Sequence, residues 1–292
     1  MILDLTNKEN TEINYEISKF PDGQQSVDIL STFHLESYAE IKSRLSSFKD
    51  LEIIISTTAS LRECGVKNIK LYIPYFIGGR SDRKFEDGGS NYIKDVISPI
   101  INLQNYDEVC VLDPHSDVIE ACINNFKKID NNRLVNWAFR DLTNDIFDND
   151  IEIISPDAGA VKKVFNNAKE LDKENIIIAS KHRDLETGNI THTEVPIKKF
   201  HKNRFVIIDD ICDGGRTFIE IAKAILKQRQ KAMYGTKIYL IVTHGIFSKG
   251  FKELNKYFDG IYTTNSYVDI NDDNFSLIND NKLHKVKQLN IF

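Results

Sequence analysis

Four apolar residues, Phe205–Ile208, run straight into two adjacent carboxylates, Asp209 and Asp210. After Ile211 and Cys212 comes the short loop Asp213-Gly214-Gly215-Arg216-Thr217, and then an amphipathic stretch from Phe218 to Leu226. The order reads as strand, loop, helix. Such a βα unit belongs to a parallel sheet, and it sets the acid pair at the strand's C-terminal edge, where open parallel sheets bind ligands. Main-chain N–H groups of the loop and of the first helical turn face an anion there, and Thr217 can add a hydroxyl. A phosphate on the loop beside hydroxyl groups on the two aspartates describes a ribose phosphate. An ordinary turn with a solvated acidic cap would use the same residue types.

The rest of the chain repeats this alternation. Apolar runs at Leu51–Ser56, Ile69–Tyr75, Glu108–Leu112, Glu152–Ser155, Asn175–Ala179, Arg204–Ile208 and Lys237–Val242 read as strands, most of them buried and parallel. Helical patterns cover Asn91–Leu103, Val118–Asn125, Ala160–Ala168 and Phe218–Lys227. The class is α/β. Two halves of similar size each hold a strand series, and the polar stretch Asn131–Asp150 separates them. The expected boundary is near residue 145, giving domains 1–145 and 146–292. The stretch Asp269–Asn281 is polar and irregular.

Composition narrows the function. A chain of 292 residues with 41% hydrophobic and 28% charged residues suits a soluble enzyme, and a net charge of −5 carries no electrostatic footprint for nucleic acid or anionic membrane. Cys64, Cys110, Cys122 and Cys212 are too far apart to form a zinc site or a disulfide framework. No basic-then-apolar leader and no apolar run of membrane-spanning length is present, so the cytoplasm is the expected compartment.

Five further segments end apolar runs with chemistry. Arg80, Arg83 and Lys84 follow Gly78-Gly79, a pattern suited to a polyphosphate clamp or to a solvated loop. His115 closes Asp113-Pro114-His115 and suits metal, phosphate, proton transfer or a purely structural place. Asp157 stands in Ser155-Pro-Asp-Ala-Gly159, a turn that can also bind a metal or sugar. Lys181 and Arg183, at alternate positions past a strand, point to one face; aimed into a cleft they would stabilise a transferring phosphoryl group, and aimed outward they are surface charge. Thr243-His244-Gly245 ends another strand.

The loop Asp209–Thr217 resembles the ribose-phosphate loop of type I phosphoribosyltransferases. The whole set, from about residue 15 to 268, resembles the ribose-phosphate pyrophosphokinases, which make phosphoribosyl pyrophosphate (PRPP). Ser18-Lys-Phe20-Pro-Asp22-Gly23-Gln24 is similar to that family's Phe-x-Asp-Gly-Glu segment. Pro74 to Lys84 looks like its Arg-x-Asp-Arg-Lys clamp, Asp113–His115 like its Asp-Leu-His motif, and Lys181-His-Arg183 like its Lys-x-Arg. Thr243–Phe247 and Thr264–Ser266 complete the series.

The resemblance implies two similar phosphoribosyltransferase-like domains with mainly parallel sheets and an active site between them at strand C-terminal ends. It implies a homo-oligomer, at least a dimer. Phe20, Asp22 and Gln24 would line a neighbouring subunit's adenine pocket, and Arg80, Asp82 and Lys84 would hold ATP. His115 and Asp157 would help to place Mg²⁺. Lys181 and Arg183 would act on the moving diphosphoryl group from a segment, Lys181–Thr193, that is mobile without substrate. Asp209 and Asp210 would hold the ribose hydroxyls, and Asp213, Gly214, Gly215, Arg216 and Thr217 the 5-phosphate. The implied reaction passes the β,γ-diphosphoryl group of ATP to an anomeric hydroxyl and releases AMP.

Two departures bear on the substrate and the adenine pocket. Gln24 stands where the family has Glu, and Gly214 and Arg216 depart from its Asp-Thr-Gly-Gly/Ala-Thr loop. The second change adds a bidentate cation and leaves two acceptors open: ribose 5-phosphate, giving PRPP, or ADP-ribose, which would feed nicotinamide salvage. A phosphoribosyltransferase and a non-catalytic family-associated subunit are the competing readings.

Overall fold

The computed structural model describes residues 1–32, 38–143, 150–173, 175–183, 190–197, 202–229, 235–270 and 285–292. Contacts divide the chain into two units: Met1–Asp130 with Phe292, and Asn131–Ile291. Among the described residues no helix is long and apolar enough to cross a membrane.

The first unit holds strand β1 (Ile2–Asp4), the hairpin β2 (Tyr15–Lys19) and β3 (Gln25–Ile29), β4 (Tyr38–Lys42) and helix α1 (Phe48–Glu63). It continues with β5 (Asn68–Tyr72), α2 (Ser98–Asn102), β6 (Glu108–Leu112), α3 (Val118–Cys122) and β7 (Phe126–Ile129). Its five-stranded sheet, ordered β1-β4-β5-β6-β7, is parallel throughout. Ile41, Ile69, Leu71, Val109 and Val111 pack one face of it against Leu51, Ile54, Ile97 and Ile119.

The run Leu51–Ser56 is helical, a correction to the strand expectation. Ser47 and Asp50 form a reciprocal capping box that starts α1, and the buried residues Leu51, Ile54, Thr58 and Leu61 recur at helical spacing. Three consecutive isoleucines suit a strand locally, but cap and packing decide. The hairpin β2–β3 lies on this helix: Glu52 accepts the N–H of Gln25 at 3.0 Å, and Ser60 donates to the carbonyl of Val27 at 2.6 Å. The Val118–Asn125 pattern is helical only to Cys122 and turns into β7.

The second unit holds α4 (Asn132–Thr143), β8 (Ile151–Ser155), α5 (Val161–Glu170), β9 (Ile176–Ile178) and the antiparallel ribbon β10 (Ser180–Arg183) with β11 (Ile190–Glu194). Then come β12 (Arg204–Cys212), α6 (Arg216–Arg229), β13 (Lys237–Gly245), β14 (Gly260–Thr264) and β15 (Val286–Leu289). Its six-stranded sheet, ordered β15-β14-β13-β12-β8-β9, is also parallel. The fold is therefore α/β with two mainly parallel sheets, as the sequence implies.

The division falls about fifteen residues before the expected boundary near residue 145. The reason is α4. Its polar residues make the stretch read as a linker, yet Leu134, Val135, Ala138, Phe139 and Leu142 form one buried stripe. That stripe packs on Val206, Ile208, Ile241 and Tyr262 of the second sheet. Most of the irregular stretch expected at Asp269–Asn281 lies outside the described residues.

Candidate active site

The acid pair stands where β12 outruns its neighbour. Pairing of β12 with β8 ends at Ile207 opposite Ile154, whereas pairing with β13 continues to Cys212 opposite Gly245. Asp209 to Cys212 thus project past the tip of β8. Asp210 is buried at 6% exposure, and Lys163 of α5 donates to its Oδ2 at 2.8 Å. Asp209 accepts the N–H of Asp210 at 2.9 Å. Burial, then the charge of Asp210, raises the Asp209 pKa well above the usual carboxylate range. Asp157 adds to the rise, while the Asp210 N–H and Lys163 oppose it. Three carboxylates and one lysine therefore share this strand tip.

Asp157 sits in the turn between β8 and α5. Its Oδ1 accepts the N–H groups of Gly159 and Ala160 at 3.1 and 3.2 Å, while the Ser155 hydroxyl donates to its carbonyl at 2.8 Å. The carboxylate is thereby fixed at the sheet edge that carries Asp209.

The loop after β12 is held from three sides. Gly215 has φ +75°, and a Cβ there would come within 2.8 Å of Leu254. The N–H of Ile219 donates to the carbonyl of Gly215 at 3.1 Å, so helical bonding in α6 begins at that residue. The N–H groups of α6 that precede Ile219 have no intrahelical acceptor, as at any helix start. Arg216 is exposed and Thr217 half-buried at this helix start. Asp213 is held by Ser248, whose hydroxyl donates to Oδ1 at 2.5 Å. Behind the loop lies a buried polar layer: His244 Nδ1 is 2.8 Å from Ser266 Oγ, and Thr264 donates to the carbonyl of Thr243 at 2.7 Å. Gly245 must be glycine, since a Cβ would sit 2.1 Å from the Phe247 ring.

Lys181 and Arg183 lie on β10, opposite Thr193 and Ile190 of β11. Residues 184–189, the rest of the expected mobile segment, fall outside the described residues.

The first unit gathers a second group at its own C-terminal sheet edge. The N–H of Leu112 donates to the Pro74 carbonyl at 3.2 Å, joining the ends of β5 and β6. Gly78 has φ +73°, and Tyr92 occupies the place of its Cβ. A Cβ on Gly79 would lie 3.8 Å from the Cβ of His115, so the clamp turn and His115 are neighbours. Asp113 is buried at 1% exposure and has φ +43°, a strained left-handed conformation for a non-glycine residue. Arg80, Lys84 and His115 are exposed. Asp82 is half-buried, and its carbonyl accepts from Asn91 at 2.6 Å. Phe20, Asp22 and Gln24 occupy the tip of the β2–β3 hairpin, where Phe20 donates its N–H to Gln24 and is 51% exposed. An aromatic ring so exposed beside a carboxylate suits stacking against a planar group.

Sequence reasoning missed Lys163 and Ser248. Lys162 and Lys163 are adjacent, and only the phase of α5, set by the buried Val164 and Ala168, turns the second toward the acid pair. Ser248 is brought to Asp213 by the end of a neighbouring strand and has no local signal. Among the described residues no cluster of three His, Cys, Asp or Glu side chains could hold a metal ion.

Known proteins share the fold and much of the sequence. No family model matches the chain. It is 26% identical over 269 residues to the ribose-phosphate pyrophosphokinase of Thermococcus kodakarensis, covering 90% of this chain and 89% of that one. It is 29% identical over 265 residues to the enzyme of the same name from Pyrococcus furiosus, covering 89% and 88%. A crystal structure of phosphoribosylpyrophosphate synthetase from Mycobacterium smegmatis has the same fold, with a TM-score of 0.77 at 16% identity over 97% of this chain and 88% of that one. The matched relatives, the fold and the order of the strand-tip motifs point the same way: over most of its length this chain is similar to the ribose-phosphate pyrophosphokinases.

Proposed function

We propose that the chain is an ATP-dependent diphosphotransferase. The anomeric hydroxyl of a 5-substituted ribose attacks the β-phosphorus of ATP, the bond to the α-phosphoryl oxygen breaks, and AMP leaves. The observation that carries this reading is the placement, on one strand tip, of Asp209 and Asp210 beside the Asp213–Thr217 loop. A carboxylate pair accepts hydrogen bonds from vicinal hydroxyls, and a helix start with a glycine loop takes a phosphate. Together they hold a ribose by two ends, so that the anomeric oxygen is left to react.

Diphosphoryl transfer needs in-line positioning and charge neutralisation more than covalent chemistry. Lys181 and Arg183 would supply charge to the moving group. Arg80, Asp82 and Lys84 would hold ATP, and the exposed Phe20 with Asp22 and Gln24 would complete the adenine pocket of a neighbouring copy, which makes the active form at least a dimer. Mg²⁺ fits as a companion of the nucleotide. It prefers oxygen ligands and keeps several waters, so the phosphates of ATP would hold most of it, and Asp157 or His115 would each be a sufficient protein contact.

A ribose phosphate is what the relatives' name carries, and ribose 5-phosphate as acceptor would give PRPP. The exposed Arg216 at the start of α6 favours a second acceptor, ADP-ribose, whose diphosphate a guanidinium can grip. The compartment would be the cytoplasm, and the product would feed nucleotide synthesis or NAD salvage according to the acceptor. AMP release from ATP and Mg²⁺ is measured with ribose 5-phosphate, ADP-ribose or no acceptor, in wild type and in Asp209→Asn and Asp210→Asn. Acceptor-dependent AMP release that falls in both variants supports the proposal. PRPP consumption with a base and without ATP would replace it by a transferase, and no turnover with any acceptor would favour a non-catalytic subunit.

A further inference from the structure

Two adjacent glycines in the phosphate loop have different reasons to be glycine. Gly215 needs its left-handed backbone, whereas Gly214 is not among the residues with positive φ. At Gly214 the space is taken by a side chain. A Cβ there would lie 3.3, 3.4 and 3.7 Å from Cδ, Cε and Cγ of Lys249. The lysine stem crosses the loop at this point, and the ammonium stands one bond beyond Cε.

The turn that carries Lys249 is tied to the same loop. The N–H groups of Ile246 and Phe247 both donate to the carbonyl of Cys212, at 2.9 and 3.1 Å, and Ser248 donates to Asp213. Phe247 at φ +47° and Gly250 at φ +62° close the turn, and the Phe247 and Phe251 rings pack at 4.6 Å between centroids. Lys249 is exposed, and among the described residues it has no acidic partner. An exposed lysine normally keeps its rotamer freedom in water. This one has its stem laid over a backbone that presents N–H groups to an anion.

We propose that Lys249 is a specificity-determining residue for the acceptor: its ammonium contacts the 5-phosphoryl group bound by Asp213–Thr217, and position 214 is glycine so that the lysine stem can reach it. The inference rests on the reading of that loop as the acceptor's phosphate site. A single cation added to a phosphate site strengthens binding through charge-assisted hydrogen bonding, and at an exposed position the lower end of that range applies, about tenfold.

The test uses the full chain with Lys249→Met, Lys249→Arg and Lys252→Met. Lys252 is an exposed lysine three residues on, so its loss controls for net charge. Binding of ribose 5-phosphate and of ribose is measured by calorimetry, and KM for acceptor and for ATP by AMP release. Lys249→Met should weaken ribose 5-phosphate binding and raise the acceptor KM about tenfold, leaving the KM for ATP and the weak affinity for unphosphorylated ribose unchanged. Lys249→Arg should restore binding to within about threefold, and Lys252→Met should match wild type. An unchanged affinity in Lys249→Met, an equal loss for ribose, or an equal loss in Lys252→Met each overturns the proposal. Failure of the underlying reading shows first in the wild type, as absence of acceptor-dependent AMP release and of ribose 5-phosphate binding.

Discussion

Replacing Lys163 by methionine keeps the stem and removes the ammonium from the acid cluster. The pair Lys163–Asp210 is 2.8 Å apart, with side chains 19% and 9% exposed. At that distance the gross attraction is about 6 kcal/mol at an effective dielectric of about 20. Desolvation cancels part of it. Removing one partner of a buried pair costs about 3–5 kcal/mol because the other charge stays buried, and the partial exposure of Lys163 lowers this to about 2–4 kcal/mol. For a unit of this size, about 2–4 °C per kcal/mol translates the loss into a Tm lower by roughly 5–10 °C. Differential scanning calorimetry at neutral pH reads it directly. The same substitution in an Asp210→Asn background should cost far less, because the charge it leaves behind is gone. A Tm that moves by less than about 1 °C, or an equal loss in both backgrounds, would refute the claim that this ion pair organises the strand tip.

Lys181→Ala and Arg183→Ala should each lower kcat by about 10²–10³ while changing the KM for ATP little, as expected of charges that act on the transition state; wild-type turnover in both would remove the ribbon from catalysis. In the first unit, hydrogen bonds from Lys70 and then Cys110 hold the Glu108 carboxyl at about 2, below its ordinary value of 4.5, and Lys127 adds to this. A depressed carboxylate contributes stability that is complete above about 4.5 and disappears as pH falls toward 2. The stability difference between wild type and Glu108→Gln should follow that course, and a difference independent of pH would contradict it. Gly245→Ala should cost about 1–3 kcal/mol or more in urea unfolding, since its Cβ would overlap the Phe247 ring; a neutral effect would mean that the turn relaxes freely.

The placement of the candidate site's residues was more legible in the sequence than some of the elements around them. Asp209, Asp210 and the Asp213–Thr217 loop carry their chemistry in consecutive residues, so one strand and one helix start place them. His115 and the Gly78–Gly79 clamp turn could be recognised separately, and parallel pairing of β5 with β6 makes them neighbours. Elements whose identity depends on distant packing were harder to read. The isoleucines of α1 suit a strand or a buried helix, and the choice is made by a serine–aspartate cap and by the sheet beneath. Helix α4 is polar enough to pass for a linker until its stripe of five buried residues meets the second sheet. Lys163 and Ser248 reach their carboxylates across 47 and 35 residues of sequence, a separation that no local pattern encodes.

Phosphorus NMR of a reaction mixture tests the central claim most directly. With ATP, Mg²⁺ and the preferred ribose acceptor, the β- and γ-phosphorus signals should move together into a mutually coupled diphosphate on the sugar's anomeric carbon as AMP accumulates in equal amount. Formation of ADP with a phosphomonoester, or release of free pyrophosphate with no sugar diphosphate, would contradict the account.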